Sequence, residues 1–149
     1  MDDAEVYGKH AEELVRFATL LVGPSAAEDV VADAVVRAFS SPAWPGVREP
    51  RPYLYRSVLN EARRARRTAE RRLRREARAA VPETVDEAVV RPEVVAALLR
   101  LTMRERAVIF ATYWLDRDAN STAHLLGLSR RTVERELRRA RHHLEELLR

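Results

Sequence analysis

Apolar residues in this sequence return every three or four positions, and no segment sustains the Val-, Ile- and Thr-rich alternation that a strand needs. That periodicity restricts the chain to an all-α fold. The expected helices cover residues 5–22, 26–40, 52–75, 93–101, 103–115, 118–126 and 129–148. Gly23-Pro24 separates the first from the second, and Pro42, Pro45, Gly46, Pro50 and Pro52 make 40–52 a loop. A second break runs over 79–92, where Pro82 and acidic residues interrupt the periodicity. The chain therefore reads as two small helical domains, 1–78 and 93–149, joined by a linker over 79–92. An apolar fraction of 46% in 149 residues is enough for a packed core.

The second domain carries the sharpest local signals. Thr102 and Glu105 stand three apart ahead of an apolar run, the spacing of a capping box. Asp118 is placed to cap a short helix that ends at Gly127, and Ser129 to cap a long final one. Two helices joined through a tight Gly turn make a helix-turn-helix. On the final helix Val133, Leu137, Ala140, Leu144 and Leu147 form one apolar face, expected against Val108, Ile109, Leu125 and Leu126. At about 100° per residue, Arg131, Glu134, Arg135, Arg138, Arg141 and His142 fall on the opposite face. A merely solvated face is also charged but normally mixes signs; here four of the six are Arg and only one is acidic. The major groove admits a helix, and Arg pairs bidentately with guanine or phosphate, so this face is read as DNA-binding. His142 and His143 are adjacent, which makes a poor metal pair, and both are expected at the surface.

Charge is segmented along the chain. Residues 1–40 hold three basic and eight acidic side chains, whereas 48–78 hold twelve Arg and four Glu. Residues 79–99 turn acidic again, and 100–149 hold eleven Arg and seven acids. Two basic blocks between acidic ones suggest two places that meet a polyanion. Arg outnumbers Lys 26 to 1, so the Arg total also fits a GC-rich genome and only its placement counts. Within the first basic block, Leu54, Val58, Ala62, Ala65 and Ala69 make a core stripe. Arg56, Asn60, Arg63, Arg67, Arg74 and Arg78 lie on the far side, with Tyr53 and Arg64 at its margin. Cations, an amide and an aromatic on one stripe suit a DNA backbone beside unstacked bases. A solvated helix or a membrane-surface helix are the competing readings; the Ala-rich stripe, used up by the core, weakens the second.

On the expected helix 26–40, Val30, Val31, Ala34, Val35, Ala38 and Phe39 form the buried side. Ala32 and Val36 fall on the other side, flanked by Asp29, Asp33 and Arg37. Exposed apolar residues rimmed by charge fit a protein partner, and a chance surface Val is the competing reading. Cys is absent, which removes disulfides, thiol nucleophiles and Cys-ligated metal. No carboxylate cluster, His-x-x-His pattern, Gly-rich phosphate loop or nucleophile elbow occurs, so no enzyme activity, metal or cofactor is expected. No run of about 18 apolar residues predicts membrane insertion, and the acidic N-terminus lacks a signal-peptide core, so a cytoplasmic location is expected.

Four segments together resemble the extracytoplasmic-function class of RNA polymerase sigma factors, over nearly the whole chain. Ala27-Glu28-Asp29-Val30-Val31-Ala32-Asp33-Ala34 resembles the class's region 2 signature, with Ala32 where Gln is frequent. Tyr53-Leu54-Tyr55-Arg56-Ser57-Val58-Leu59-Asn60 resembles its Trp-Leu-Tyr-Arg-Ile-Ala-x-Asn, with Tyr53 for Trp and an Arg-rich tail following. Leu101-Thr102-Met103-Arg104-Glu105-Arg106-Ala107-Val108 resembles the start of region 4. His124-Leu125-Leu126-Gly127-Leu128-Ser129-Arg130-Arg131-Thr132-Val133 resembles its helix-turn-helix. Asp118 stands for a usual Ser, with the same capping ability, and Ser121 for a frequent Glu.

The resemblance implies a sigma region 2-like bundle and a region 4-like helix-turn-helix. It implies that Asp29, Ala32, Asp33, Val36 and Arg37 face the beta-prime clamp helices of RNA polymerase core, with the beta flap as a further contact. It implies that Tyr53, Arg56, Asn60, Arg63, Arg64 and Arg67 meet the promoter −10 element and its opened strand. Ser129, Arg130, Arg131, Thr132, Glu134, Arg135 and Arg138 would then meet the −35 element. In this class the loop before the Tyr53 helix forms a pocket for a flipped base; here it holds Trp44, which either stacks on that base or pins the loop to the core. An anti-sigma factor is a further partner the resemblance allows, and no long extension for an added sensor domain is expected. The other reading kept open is a helix-turn-helix regulator that binds duplex DNA without polymerase core.

Overall fold

The structure, a computed structural model, describes residues 2–66, Arg75 and 92–149. Among the described residues it is all helical, with seven α-helices. α1 (Asp3–Val22) begins where the Asp2 carboxylate accepts the Ala4 N–H at 3.3 Å. It ends at Gly23, whose φ of 88° is open to glycine at little cost. Pro24 then opens α2 (Pro24–Ser40), because its fixed φ suits a first helical turn and its missing N–H is not needed there. The same preference places the start of α3 (Pro50–Arg64) at Pro50, two residues before the start expected from sequence. Between them the 40–52 segment is not wholly irregular: Trp44–Gly46 forms one 3-10 turn. The outer part of the expected 52–75 helix lies outside the described residues.

These three helices enclose Leu14, Phe17 and Leu21 from α1, Val30, Val31 and Ala34 from α2, and Leu54, Val58 and Ala62 from α3. Tyr55 is buried as well, with its ring centroid 4.8 Å from that of Phe17. A buried hydroxyl needs a partner, and Tyr55 Oη donates to Glu13 Oε1 at 2.6 Å. The same oxygen accepts from Arg51 Nε at 2.8 Å, and His10 Nδ1 lies 3.5 Å from Glu13 Oε2. Burial alone raises the Glu13 pKa, but the hydrogen bonds from Tyr55 and Arg51 outweigh it and hold the carboxyl below its ordinary value of 4.5. The folded chain thus binds this proton less readily than the unfolded one. Stability from Glu13 is present above the ordinary glutamate range and lost as pH falls through the depressed folded value. Glu13→Gln is therefore expected to lower the thermal midpoint at neutral pH, with the gap to the parent closing as pH drops below 4.5. A gap independent of pH in thermal melts would show that the charge of Glu13 is not what stabilises this corner.

The second group starts with α4 (Pro92–Leu99) and α5 (Met103–Ile109). Thr102 Oγ1 accepts the Glu105 N–H at 3.1 Å while Glu105 Oε1 accepts the Thr102 N–H at 3.0 Å, the expected capping box. The helix expected over 103–115 changes geometry partway. It widens into a π turn over Phe110–Trp114, closed by the Leu115 N–H on the Phe110 carbonyl at 3.1 Å. α6 (Ala119–Leu126) is capped by Asp118, and α7 (Arg130–Leu147) by Ser129, as expected. Gly127 joins them with φ 70° in the left-handed region. Val133 and Ala140 of α7 are fully buried and Leu137 partly so, against Val108, Leu125 and Leu126. Leu147, expected on the same face, is 37% exposed.

The two groups do not stand apart. α1 packs on α5 and α3 on α6. The Phe17 and Phe110 centroids lie 5.2 Å apart across this seam. Arg106 of α5, only 1% exposed, donates from Nη1 to the Leu21 carbonyl at the end of α1 at 3.3 Å. Arg56 of α3 donates to the His124 carbonyl, and His124 Nε2 lies 2.8 Å from Glu49 Oε2. The contact at Gly127 is close: a Cβ there would lie 2.8 Å from Arg56 Nε.

Candidate nucleic-acid and polymerase interfaces

The outer face of α7 follows from its caps and its apolar side. Ser129 Oγ accepts the Thr132 N–H at 3.1 Å and donates to Thr132 Oγ1 at 2.9 Å, so both hydroxyls are engaged in starting the helix. With Val133 and Ala140 turned inward, Arg131, Arg135 and Arg138 are exposed. Arg131 and Arg138 make no ion pair among the described residues, and the nearest carboxylate to Arg135 is Glu136 at 3.8 Å. Arg130 is held differently, on Glu134 at 2.7 Å and Asn120 at 3.4 Å. Arg141, on the expected face, is tied back: its Nε donates to Tyr113 Oη at 2.8 Å, and its guanidinium carbon lies 5.8 Å from that ring's centroid. His142 is exposed beside Glu146 at 3.3 Å. His143 is also exposed, but its Nδ1 lies 3.0 Å from buried Glu105, a structural contact that its position in a polar run does not signal.

On α3 the expected stripe divides. Asn60 is exposed and makes no side-chain hydrogen bond among the described residues. Arg56 is engaged by the second group through the His124 carbonyl. Arg63 opens onto a cleft of about 630 Å³ between the two groups, where Arg66, Arg104 and Arg139 also converge. Desolvation there, and then the charges of Arg104 and Arg66, hold its guanidinium below the ordinary pKa. Arg64 Nη1 and Arg37 Nε meet on one oxygen, Glu61 Oε2, at 3.4 and 3.3 Å. Arg67, Arg74 and Arg78 lie outside the described residues, as does 79–91 of the expected linker.

Trp44 is held in place rather than standing free. Its ring lies between Phe39, at 4.7 Å, and Tyr53, at 5.5 Å, and its Nε1–H goes to Asp3 Oδ1 at 2.8 Å. Of the two uses open to it from sequence, pinning the loop is the one with visible contacts. On α2, Asp29, Ala32, Asp33, Val36 and Arg37 all face outward, and Val36 is 65% exposed. Asp29 and Asp33 make no ion pair among the described residues. Val36 exposed beside two carboxylates with no ion pair makes a surface suited to a basic, partly apolar partner.

Comparison with known proteins covers both groups. Residues 6–78 match the family "Sigma-70 region 2", and residues 91–144 match "Sigma-70, region 4". An RNA polymerase sigma-E factor of Streptomyces avermitilis is 31% identical over 144 residues, covering 92% of this chain and 79% of that protein. Among solved structures, CnrH, in complex with the cytosolic domain of CnrY, is 28% identical with a TM-score of 0.65; 98% of this chain and 86% of CnrH are covered. The sigma factor RpoE of Bartonella quintana, in complex with the anti-sigma factor NepR, matches in fold with a TM-score of 0.66 at 20% identity. That match covers 97% of this chain and 95% of RpoE.

Proposed function

The chain belongs to the sigma-70 family, in its extracytoplasmic-function class, and directs RNA polymerase core to promoters; from that premise we propose how its residues divide the task. Residues 1–78 form the unit that binds core and the −10 element, 79–92 link, and 93–149 bind the −35 element. Core is met by Asp29, Ala32, Asp33, Val36 and Arg37 on α2. The −10 element is met by Tyr53, Asn60, Arg64 and the Arg56, Arg63 and Arg67 stripe. The −35 element is met by the start and outer face of α7, where Arg131, Arg135 and Arg138 are the readers. Ser129 and Thr132 act there through the backbone they cap, and Arg130 and Glu134 as a pair. The observation that carries this reading is the set of exposed, unspent Arg side chains on a capped helix that follows the Gly127 turn.

The seam between the groups bears on mechanism. The −35 and −10 elements lie roughly 25 base pairs apart, about 85 Å at 3.4 Å per pair. Helices α3 and α7 belong to one packed body here, with Arg56 on the His124 carbonyl. The arrangement is thus that of a chain not engaged with both elements, and Arg56 changes partner from carbonyl to phosphate when the groups part. Both structural relatives carry bound partner proteins, and an anti-sigma factor is a corresponding partner for this chain.

The test of the core-binding assignment is charge reversal on α2. Asp29→Arg and Asp33→Arg are each expected to weaken binding to core polymerase at least 10-fold, since losing a charge-complementary contact to a like-charge clash costs a few kcal/mol. Both residues are exposed, so the thermal midpoint should hold. Unchanged affinity for core in both variants would move the polymerase interface off this helix.

A further inference from the structure

We propose that the cleft between the two helical groups binds a chain of phosphates, as carried by inorganic tripolyphosphate or a nucleoside triphosphate, through Arg63, Arg66, Arg104 and Arg139, and that the bound anion holds the groups together. The site stands on the geometry of the packed groups; its consequence for transcription rests on the sigma reading.

Four guanidinium groups reach this cleft from both sides of the seam. Arg63 and Arg66 come from the end of α3 and the residues just after it, Arg104 from α5 and Arg139 from α7. Like charges gathered in one place repel unless counter-charge stands among them. The two carboxylates that line the cleft are turned to other partners. Glu105 is 1% exposed; its Oε1 accepts the Thr102 N–H at 3.0 Å, and His143 Nδ1 lies 3.0 Å from its Oε2. Glu136, also buried, has Arg135 Nη2 at 3.8 Å. Arg63, Arg104 and Arg139 make no ion pair among the described residues. The cost shows at Arg63, whose guanidinium is held below its ordinary pKa by desolvation first and then by the charges of Arg104 and Arg66.

The lining selects the class of anion. Among the described residues Met103 is its one apolar side chain, and it holds no Phe, Tyr or Trp. A peptide's apolar anchors and a nucleobase therefore find little to pack on. Guanidinium groups, in contrast, present planar donors that pair bidentately with phosphate oxygens. The volume of about 630 Å³ lies within the range of small-ligand sites. Recognition thus falls on the phosphates, and a nucleoside at their end adds little.

An anion that touches Arg63 and Arg66 on one side and Arg104 and Arg139 on the other binds only while the groups are packed together. By linkage it opposes any partner that needs them apart. It also takes Arg63 from the stripe assigned to the −10 element.

The experiment titrates the full chain by calorimetry with tripolyphosphate, ATP and adenosine, without Mg2+ and at constant ionic strength. Tripolyphosphate and ATP are expected to bind one per chain with similar affinity, and adenosine not at all. Arg104→Ala and Arg139→Ala should each weaken both anions on the order of 10-fold. Arg48→Ala, exposed and outside the cleft, should bind as the parent does. Affinity for core polymerase is then measured with and without saturating tripolyphosphate. The anion should lower it several-fold for the parent and leave it unchanged for the Arg104→Ala/Arg139→Ala double variant. Absence of binding, an equal loss in Arg48→Ala, or a hexaglutamate peptide that binds as tightly as tripolyphosphate overturns the phosphate site. Binding that leaves core affinity untouched overturns the clasp between the groups. A chain that does not bind core overturns the sigma reading and with it the consequence for transcription, while the calorimetry still decides the site.

Discussion

Arg106→Ala is expected to destabilise the chain by about 2–5 kcal/mol, the range for truncating a large buried side chain to Ala. Arg106 is among the largest fully buried side chains. Its loss opens a cavity under α5 and leaves the Leu21 carbonyl without its Nη1 donor. For a chain of this size each kcal/mol moves the midpoint by roughly 2–4 °C, so a fall on the order of 10 °C should appear in thermal melts. The guanidinium also ties α5 to the end of α1, so the loss should reach both groups and not α5 alone. A shift of only a degree or two would mean that Arg106 contributes packing that neighbours readily replace.

The second large effect concerns DNA. Arg135→Ala and Arg138→Ala are each expected to weaken promoter binding by holoenzyme by about 1–3 kcal/mol if they read a base edge. Such a loss would be confined to one position of the −35 element. A contact to phosphate alone would instead lower binding to all sequences and reduce the salt slope by about 0.9. Arg141 provides the internal contrast. Its Nε is spent on Tyr113 Oη, so Arg141→Ala should have the smaller effect on DNA although it shares the helix face. Competition among −35 variants separates these outcomes; equal losses for Arg135, Arg138 and Arg141 would remove the distinction that the Tyr113 contact makes.

What was legible in the sequence was mostly local. The capping box at Thr102, the caps at Asp118 and Ser129, and the Gly127 turn are encoded within four residues of where they act, and all four form. The inward faces of α2 and α3 are set by helical period, and Val30, Ala34, Leu54 and Val58 are buried as that period requires. The turn at Phe110–Trp114 was not visible, because a switch to bonding five residues back leaves the apolar pattern almost unchanged. Leu147 fits the stripe of α7 but is the last residue of the helix, with little beyond it to pack on.

Contacts between distant residues were harder to read. Tyr55 is 42 residues from Glu13 and Arg106 is 85 from Leu21, and neither separation carries a periodic signal. Arg56 was placed correctly on the polar side of α3, yet its partner, 68 residues away, is a backbone carbonyl that has no side-chain signature. The break over 79–92 divides the sequence into two small domains. The apolar match of Phe17 with Phe110, which brings them into one core, is silent until both helices are oriented.

The most direct measurement is run-off transcription with purified core polymerase on a library of genomic fragments, with and without this chain. Discrete transcripts that share −35 and −10 sequences upstream are expected only when the chain is added, and the chain alone should bind duplex weakly. Tight, sequence-specific duplex binding without core, together with no new transcripts when core is present, would contradict a sigma factor's role.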